Sequence, residues 1–250
     1  MCRLFAFSGN TGSPEYRDAL MAFAVLADKG CVPCGIEPGH QDGWGIHSSN
    51  KAHEVYIRSV EPIDGDSVIS STESVSGDGQ VIAHLRKATV GTKAICNTHP
   101  FLRSGICFCH NGSIHAFEST VFTNDRHLRE GHTDSETFFL RILDRIDGQL
   151  GDGSLSMFEK AIKDEVIEIQ KISEWTSLTC LLKTKEGIIL HYLWNEKDPE
   201  RETLKLDEYY TFYKGTKDGM TILCSETLDI QGFTWEKLDN GTILTLPNNH

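Results

Sequence analysis

Positive charge is scarce in this chain: 24 Lys and Arg stand against 36 Asp and Glu, a formal net charge of -12 over 250 residues. A field of that sign repels nucleic-acid phosphates and anionic membrane surfaces, so neither is expected as a partner. Long apolar runs are also lacking. No stretch approaches the ~20 consecutive apolar residues that span a bilayer, and the amino terminus has no basic region followed by the apolar segment of a secretory signal. These absences predict a cytoplasmic protein whose eight cysteines are thiols. Internal repeats and linkers are missing too. With 39% hydrophobic residues, the chain is long enough to bury a substantial core, and residues 1–250 are expected to form one domain.

The hydrophobic periodicity predicts a strand over Arg3–Phe7, then a helix from the cap Ser13-Pro14 to a stop at Gly30. Further strands are expected at Val55–Val60 and Val81–Arg86. The acidic, serine-rich stretch from Glu61 to Gly79 reads as a surface connection with at most a short helix. Asn111-Gly112, between Ile106–His110 and Ser113–Phe117, carries the signal of a two-residue hairpin turn. Thr133-Asp134-Ser135-Glu136 has capping-box spacing ahead of a helix ending at Gly148, and a second helix follows from Ser156. The rest alternates as strands: Leu178–Lys183, Ile188–Trp194, Tyr209–Tyr213, Thr221–Cys224 and a final hairpin turning at Asn240-Gly241. Strands, then helices, then strands point to an α+β sandwich.

Several residues could carry chemistry. Cys2 follows the initiator methionine, and removal of Met1 would leave a thiol and a free α-amine on one residue, a nucleophile with its own base. Arg86 ends a strand, where its guanidinium suits a planar anion. The Asn111 amide and the unhindered Gly112 N–H offer two donors for one oxygen, and Asp134 falls in the first turn of a helix. Taken singly, each has an ordinary structural explanation: a buried strand, a solvated charge, a turn, a cap. Cys31-Val32-Pro33-Cys34 and Cys107-Phe108-Cys109-His110 leave a zinc site open, although the second pair is poorly spaced for one.

Taken in order, these segments form a set. Met1-Cys2-Arg3-Leu4, Asp42-Gly43-Trp44-Gly45-Ile46, Ala83-His84-Leu85-Arg86 with Ala88-Thr89, Asn97-Thr98-His99-Pro100-Phe101, His110-Asn111-Gly112 and Thr133-Asp134-Ser135-Glu136 resemble the class II glutamine amidotransferases. That family is a branch of the N-terminal nucleophile hydrolases, and the nearest group is the stand-alone YafJ type. Cys224-Ser225-Glu226-Thr227-Leu228 and Trp235 are similar to that group's ending. The resemblance implies a four-layer αββα sandwich of two antiparallel sheets. It implies Cys2 as the nucleophile, Asn111 and Gly112 as the oxyanion hole, and Arg86, Thr89 and Asp134 as substrate contacts. It calls for no metal and no organic cofactor.

The implied substrate is glutamine or another small γ-glutamyl compound, and the implied chemistry is amide hydrolysis through a γ-glutamyl thioester. Because the resemblance occupies the whole chain, an ammonia-using synthase would have to be a separate partner subunit. Two alternatives stay open: a γ-glutamyl peptide hydrolase of thiol metabolism, and a non-catalytic glutamine-binding subunit. Lys87 and Val90 stand where synthase-linked members carry Trp and His, so the pocket wall differs. His84 and His99 are expected to serve local architecture.

Overall fold

The computed structural model describes residues 2–117, 129–147 and 153–248. Its first part contains β1 (Arg3–Asn10), α1 (Pro14–Lys29), β2 (Trp44–Asn50), β3 (Glu54–Ser59), α2 (Gly65–Thr72), β4 (Asp78–Leu85), β5 (Phe101–Arg103) and β6 (Ile106–Asn111). The central helices are α3 (Asp134–Asp147) and α4 (Leu155–Ile172). After them come β7 (Thr179–Thr184), β8 (Gly187–His191), the one-turn helices α5 (Arg201–Leu204) and α6 (Leu206–Tyr209), β9 (Tyr213–Lys217), β10 (Met220–Cys224), β11 (Thr234–Lys237) and β12 (Ile243–Pro247).

Two sheets form. One has the order β11-β9-β10-β1-β4-β2-β3 and the other β12-β8-β7-β6-β5, and every paired register in both is antiparallel. Side-chain alternation along the strands builds four layers from them. On β1, Phe5 and Phe7 pack under α1 with Tyr16, Leu20 and Phe23. Leu4 and Ala6, one register away, face the second sheet and meet Cys107, Cys109, Leu181 and Leu190. On the outer side of that sheet, Phe108, Leu182 and Ile189 pack against Phe139 and Ile142 of α3 and Phe158 and Ile162 of α4. Burying each such side chain stabilises the fold by about 1.5–3 kcal/mol. The expected αββα sandwich is therefore the observed one.

Local signals explain most of the elements. Ser13 caps α1 by accepting from the Tyr16 N–H at 3.2 Å, with Pro14 in the first turn and Gly30 closing the helix onto the Leu26 carbonyl. Thr133 caps α3 through the Glu136 N–H at 3.1 Å. The reciprocal half of the box is missing: the Glu136 carboxylate instead accepts from Glu130 and Gly131 N–H at 2.8 and 2.7 Å, tying the incoming chain to the helix start. The expected stop at Gly148 lies outside the described residues. The expected surface connection after Glu61 carries α2.

Three expectations are corrected. Asn111-Gly112 does not turn a hairpin: β6 pairs with β5 and β7, and the chain after Gly112 makes only an isolated bridge, from Ile114 to Trp175. A Cβ on Gly112 would stand 1.9 Å from the Ser177 carbonyl, so this glycine serves a close backbone approach. Tyr209 ends the short helix α6, and the strand begins only at Tyr213, because the aromatics Tyr209, Tyr210 and Phe212 all turn into the inter-sheet core. Asn240-Gly241 joins strands of different sheets, β11 pairing with β9 and β12 with β8. Asn240 is held by Trp194, donating to its carbonyl and accepting from its N–H.

Candidate active site

The alternation that builds the inter-sheet layer also builds the site at its mouth. Cys2 has the parity of Leu4 and Ala6 on β1, Arg86 that of Ile82 and His84 on β4, and Asn111 that of Cys107 and Cys109 on β6. Since β1 lies against β4 in one sheet and β6 lies between β7 and β5 in the other, strand ends from both sheets converge on one point.

Cys2 is buried at 8% exposure. Its backbone N–H donates to Asn111 Oδ1 at 2.8 Å, and its Sγ lies 3.7 Å from the Lys87 carbonyl. Burial alone pushes this thiol up, but the positive charge of the chain's amino terminus and the buried His84 ring outweigh it, and the thiol is drawn down to about 6. His84 is fully buried and neither ring nitrogen finds a well-aligned partner. Its ring lies 4.2 Å from that of His99, and burial lowers the pKa of His99 far below the usual histidine value.

Asn111 is 4% exposed. Its Oδ1 is taken twice, by the Cys2 N–H and by the Tyr209 hydroxyl at 3.3 Å. The Cys2 N–H can only donate and so requires the oxygen on that side, which leaves the Nδ2 amide hydrogens facing away from the chain terminus. Gly112 follows directly. His110, on the opposite face of β6, is fixed between Ser135 Oγ at 2.9 Å and the Ser177 carbonyl at 3.0 Å. The carbonyl can only accept, so His110 carries its proton on Nε2.

The remaining candidates surround this pair. Asp134 is buried, and its Oδ2 accepts from the Ile114 N–H at 2.7 Å, two residues beyond Gly112. Thr89 is exposed and its Oγ1 meets Ser113 Oγ at 3.1 Å, joining the loop after β4 to the one after β6. Arg86 is buried, with its guanidinium turned onto its own loop: it donates to the carbonyls of Thr92 at 3.2 Å, Val90 at 3.0 Å and Gly91 at 3.3 Å. It makes no bond to the other five candidates. Three bonds from five N–H donors leave two for another acceptor.

Asp42 and Gly43 hold the Arg86 backbone from both sides, through Asp42 N–H to the Arg86 carbonyl at 3.0 Å and Arg86 N–H to the Gly43 carbonyl at 2.8 Å. Gly45 is required by contact, since a Cβ there would lie 2.3 Å from the His99 carbonyl. Lys87 reaches the carbonyls of Glu37 at 2.6 Å and Gly39 at 3.1 Å, and so ties the loop before β2 to the site.

Sequence reasoning missed the underside of the site. Arg3, with no exposure, forms an ion pair with Glu226 at 2.5 Å and reaches the carbonyls of Cys2 and Cys31. Its guanidinium carbon stands 4.4 Å over the ring of Tyr209, whose hydroxyl touches the Cys2 carbonyl at 3.2 Å. Glu226 also accepts from the Cys31 N–H at 2.7 Å. The only available signal was an arginine inside an otherwise apolar strand.

The thiols considered for zinc separate: Cys107 and Cys109 are fully buried between the sheets, whereas Cys31 is half-buried and Cys34 exposed. Among the described residues no group of three or more His, Cys, Asp or Glu side chains is arranged to hold a metal ion. A cleft of about 300 Å³ at the start of α1, lined by Thr11, Ser13, Arg17 and Glu73 among others, includes none of the candidate residues.

Comparison with known proteins places the chain in a family. An uncharacterized protein of Methanocaldococcus jannaschii is 27% identical over 232 residues, covering 84% of this chain and 62% of that protein. The putative glutamine amidotransferase YafJ of Escherichia coli is 28% identical over 151 residues, covering 58% of this chain and 55% of that one. The chain thus spans only about 55–62% of the length of these two curated relatives. Among solved structures, the glutamine phosphoribosylpyrophosphate amidotransferase of B. subtilis, complexed with ADP and GMP, aligns with a TM-score of 0.59 at 16% identity, over 99% of this chain and 47% of that chain. That likeness is one of fold. The family model for class II glutamine amidotransferases matches residues 1–248, and the protein belongs to that family.

Proposed function

We propose that the protein is an amide hydrolase that releases ammonia from the side chain of glutamine, or an amine from a related γ-glutamyl compound, with Cys2 as nucleophile. The observation that carries this reading is the 2.8 Å contact between the Cys2 nitrogen and Asn111 Oδ1. It puts the nucleophile's own nitrogen and an amide donor pair on the same few atoms. Once Met1 is removed, that nitrogen is an α-amine able to take the thiol proton directly or through a water. The thiolate attacks the γ-carbonyl carbon, and the oxyanion that forms is stabilised by Asn111 Nδ2 and the Gly112 N–H. The amine returns its proton to the leaving nitrogen as the C–N bond breaks. Water, deprotonated by the same amine, then hydrolyses the thioester and frees the carboxylate and the thiol.

In this reading the substrate's α-groups are held at the rim. The two N–H groups that Arg86 keeps clear of its loop, on Nε and Nη1, can each donate to a carboxylate oxygen. The Asp134 carboxylate, with Oδ2 already held by Ile114, accepts the α-ammonium. Thr89 contributes a hydroxyl beside Ser113. The chemistry assigned here needs no metal or organic cofactor. Use of the ammonia in a biosynthetic step would call for an ammonia-accepting synthase, and none of the six candidate residues is assigned to that step. None of the helices among the described residues is long and apolar enough to cross a membrane, in keeping with a cytoplasmic setting.

The test is a substrate panel run on wild type and Cys2→Ala side by side, measuring ammonia from glutamine and glutamate from γ-glutamyl peptides. Wild type should turn over at least one of them, and Cys2→Ala none. Mass spectrometry of active protein should show Met1 absent, and a retained Met1 would rule out the self-base mechanism. Glutamine bound but never cleaved would leave the binding-subunit reading in its place.

A further inference from the structure

An asparagine can donate into an oxyanion hole only while its amide is turned the right way. Oδ1 and Nδ2 exchange places by a half-turn of the side chain, and the two forms have nearly the same shape. In the structure the Cys2 N–H selects the working form. That selection weakens once the same nitrogen becomes the catalytic base, because its lone pair and its hydrogens must then serve the thiol, the leaving group and the water in turn. A lock that ignores the state of the amine has to come from elsewhere.

Tyr209 supplies one. Its hydroxyl, 98 residues away in sequence, is directed between Asn111 Oδ1 at 3.3 Å and the Cys2 carbonyl at 3.2 Å. The phenol has one hydrogen for these two oxygens, and with Oδ1 inward, as the Cys2 N–H requires, it is the second donor directed at Asn111. Burial raises the phenol far above its ordinary pKa, so it keeps its proton wherever the protein is folded. The Arg3 guanidinium over its ring face polarises the O–H and makes it a better donor. Arg3 is held in turn by Glu226, which is bound to the Cys31 N–H.

We propose that Tyr209 is a positioning residue for the amidohydrolase reaction: it fixes the Asn111 amide so that Nδ2 faces the oxyanion, and Arg3 and Glu226 hold it in place. The proposal rests on the reading of Asn111 as an oxyanion donor, and the test separates the two. Steady-state kinetics on the substrate that wild type turns over are compared for Tyr209→Phe, Asn111→Ala and the double variant, with thermal unfolding of each. Tyr209→Phe should lower kcat about tenfold with KM within about twofold, since the group acts in the transition state and not on bound substrate. In the Asn111→Ala background the same change should alter kcat less than about twofold, because its target is gone.

Tyr209→Phe with wild-type kcat, or an undiminished tenfold loss in the double variant, overturns the positioning role. If Asn111→Ala itself is fully active, the oxyanion reading fails first and takes this inference with it. Should Tyr209→Phe not fold, Glu226→Gln loosens Arg3 while leaving the phenol in place. It should then lower kcat in the same direction by a smaller factor in the Asn111 protein alone, and an unchanged kcat overturns the proposal.

Discussion

Cys2 and Cys109 face the same layer between the sheets and both are buried, yet their thiols are driven in opposite directions. Cys109 sits in the middle of the layer, and burial raises it well above the ordinary value, with the neighbouring thiols Cys107, Cys2 and Cys180 raising it further. Cys2 sits at the mouth, where burial also raises it but cationic and hydrogen-bonding neighbours bring it down to about 6. The comparison teaches that reactivity here does not follow from shielding. One strand parity supplies a thiol pushed up in the middle of the sandwich and a thiol drawn down at its end, and only the charged and polar groups gathered at the mouth make the difference.

The largest test of that difference removes a polar group from the mouth without touching the thiol. Asn111→Ala should lower kcat by about 100- to 1000-fold, the usual loss for one oxyanion donor. It should leave the thermal midpoint within a few degrees, read by ammonia release and by calorimetry. A loss confined to KM would mean that Asn111 only binds substrate.

A smaller effect, about tenfold, comes from pH. A thiol titrating near 6 is about 90% thiolate at pH 7 and about 10% at pH 5. Alkylation of Cys2 by iodoacetamide, followed by peptide mass spectrometry, should therefore be flat above pH 7 and fall as pH drops through about 6. Cys107, Cys109, Cys180 and Cys224 should stay unmodified in the folded protein. A Cys2 rate still climbing toward pH 9 would erase the contrast with Cys109.

The smallest change is made in the middle of the layer. Cys109→Ala should cost about 1–2 kcal/mol of stability through lost packing, a shift of a few degrees in Tm for a chain of this size. Its kcat should stay within about twofold of wild type.

The same contrast marks how far the sequence could be read. Strand parity, the Ser13-Pro14 start of α1 and the Thr133 cap are local signals, and the structure keeps them. The juxtaposition of Cys2 with Asn111 was legible only because several short motifs occur in one order, since no spacing rule connects residues 109 apart. Asn111-Gly112 misled because the signal of a tight turn is also the signal of a close backbone approach, here to Ser177. Tyr209 misled because an aromatic run with strand-like propensity was pulled into the core as a helical turn. The Arg3, Tyr209 and Glu226 assembly was invisible because its members are more than 200 residues from one end to the other, and pattern reading has no reach at that distance.

The placement of β1 has a consequence for the order in which the molecule comes to life on the ribosome. Its first strand pairs with β4 on one side and β10 on the other. Leu4 exchanges bonds with Ser225 through N–H to Oγ at 2.9 Å and carbonyl to N–H at 3.1 Å, and Arg3 waits for Glu226. The strand that follows Cys2 is thus seated only when residues as far as Glu226 are present, and a nascent chain short of residue 226 presents Cys2 without its underside. Pairing β1 with β10 delays completion of the candidate site until both strands are present, at the cost of a slow, long-range closure. A chain that lacks β10 therefore carries the cysteine without the candidate site around it.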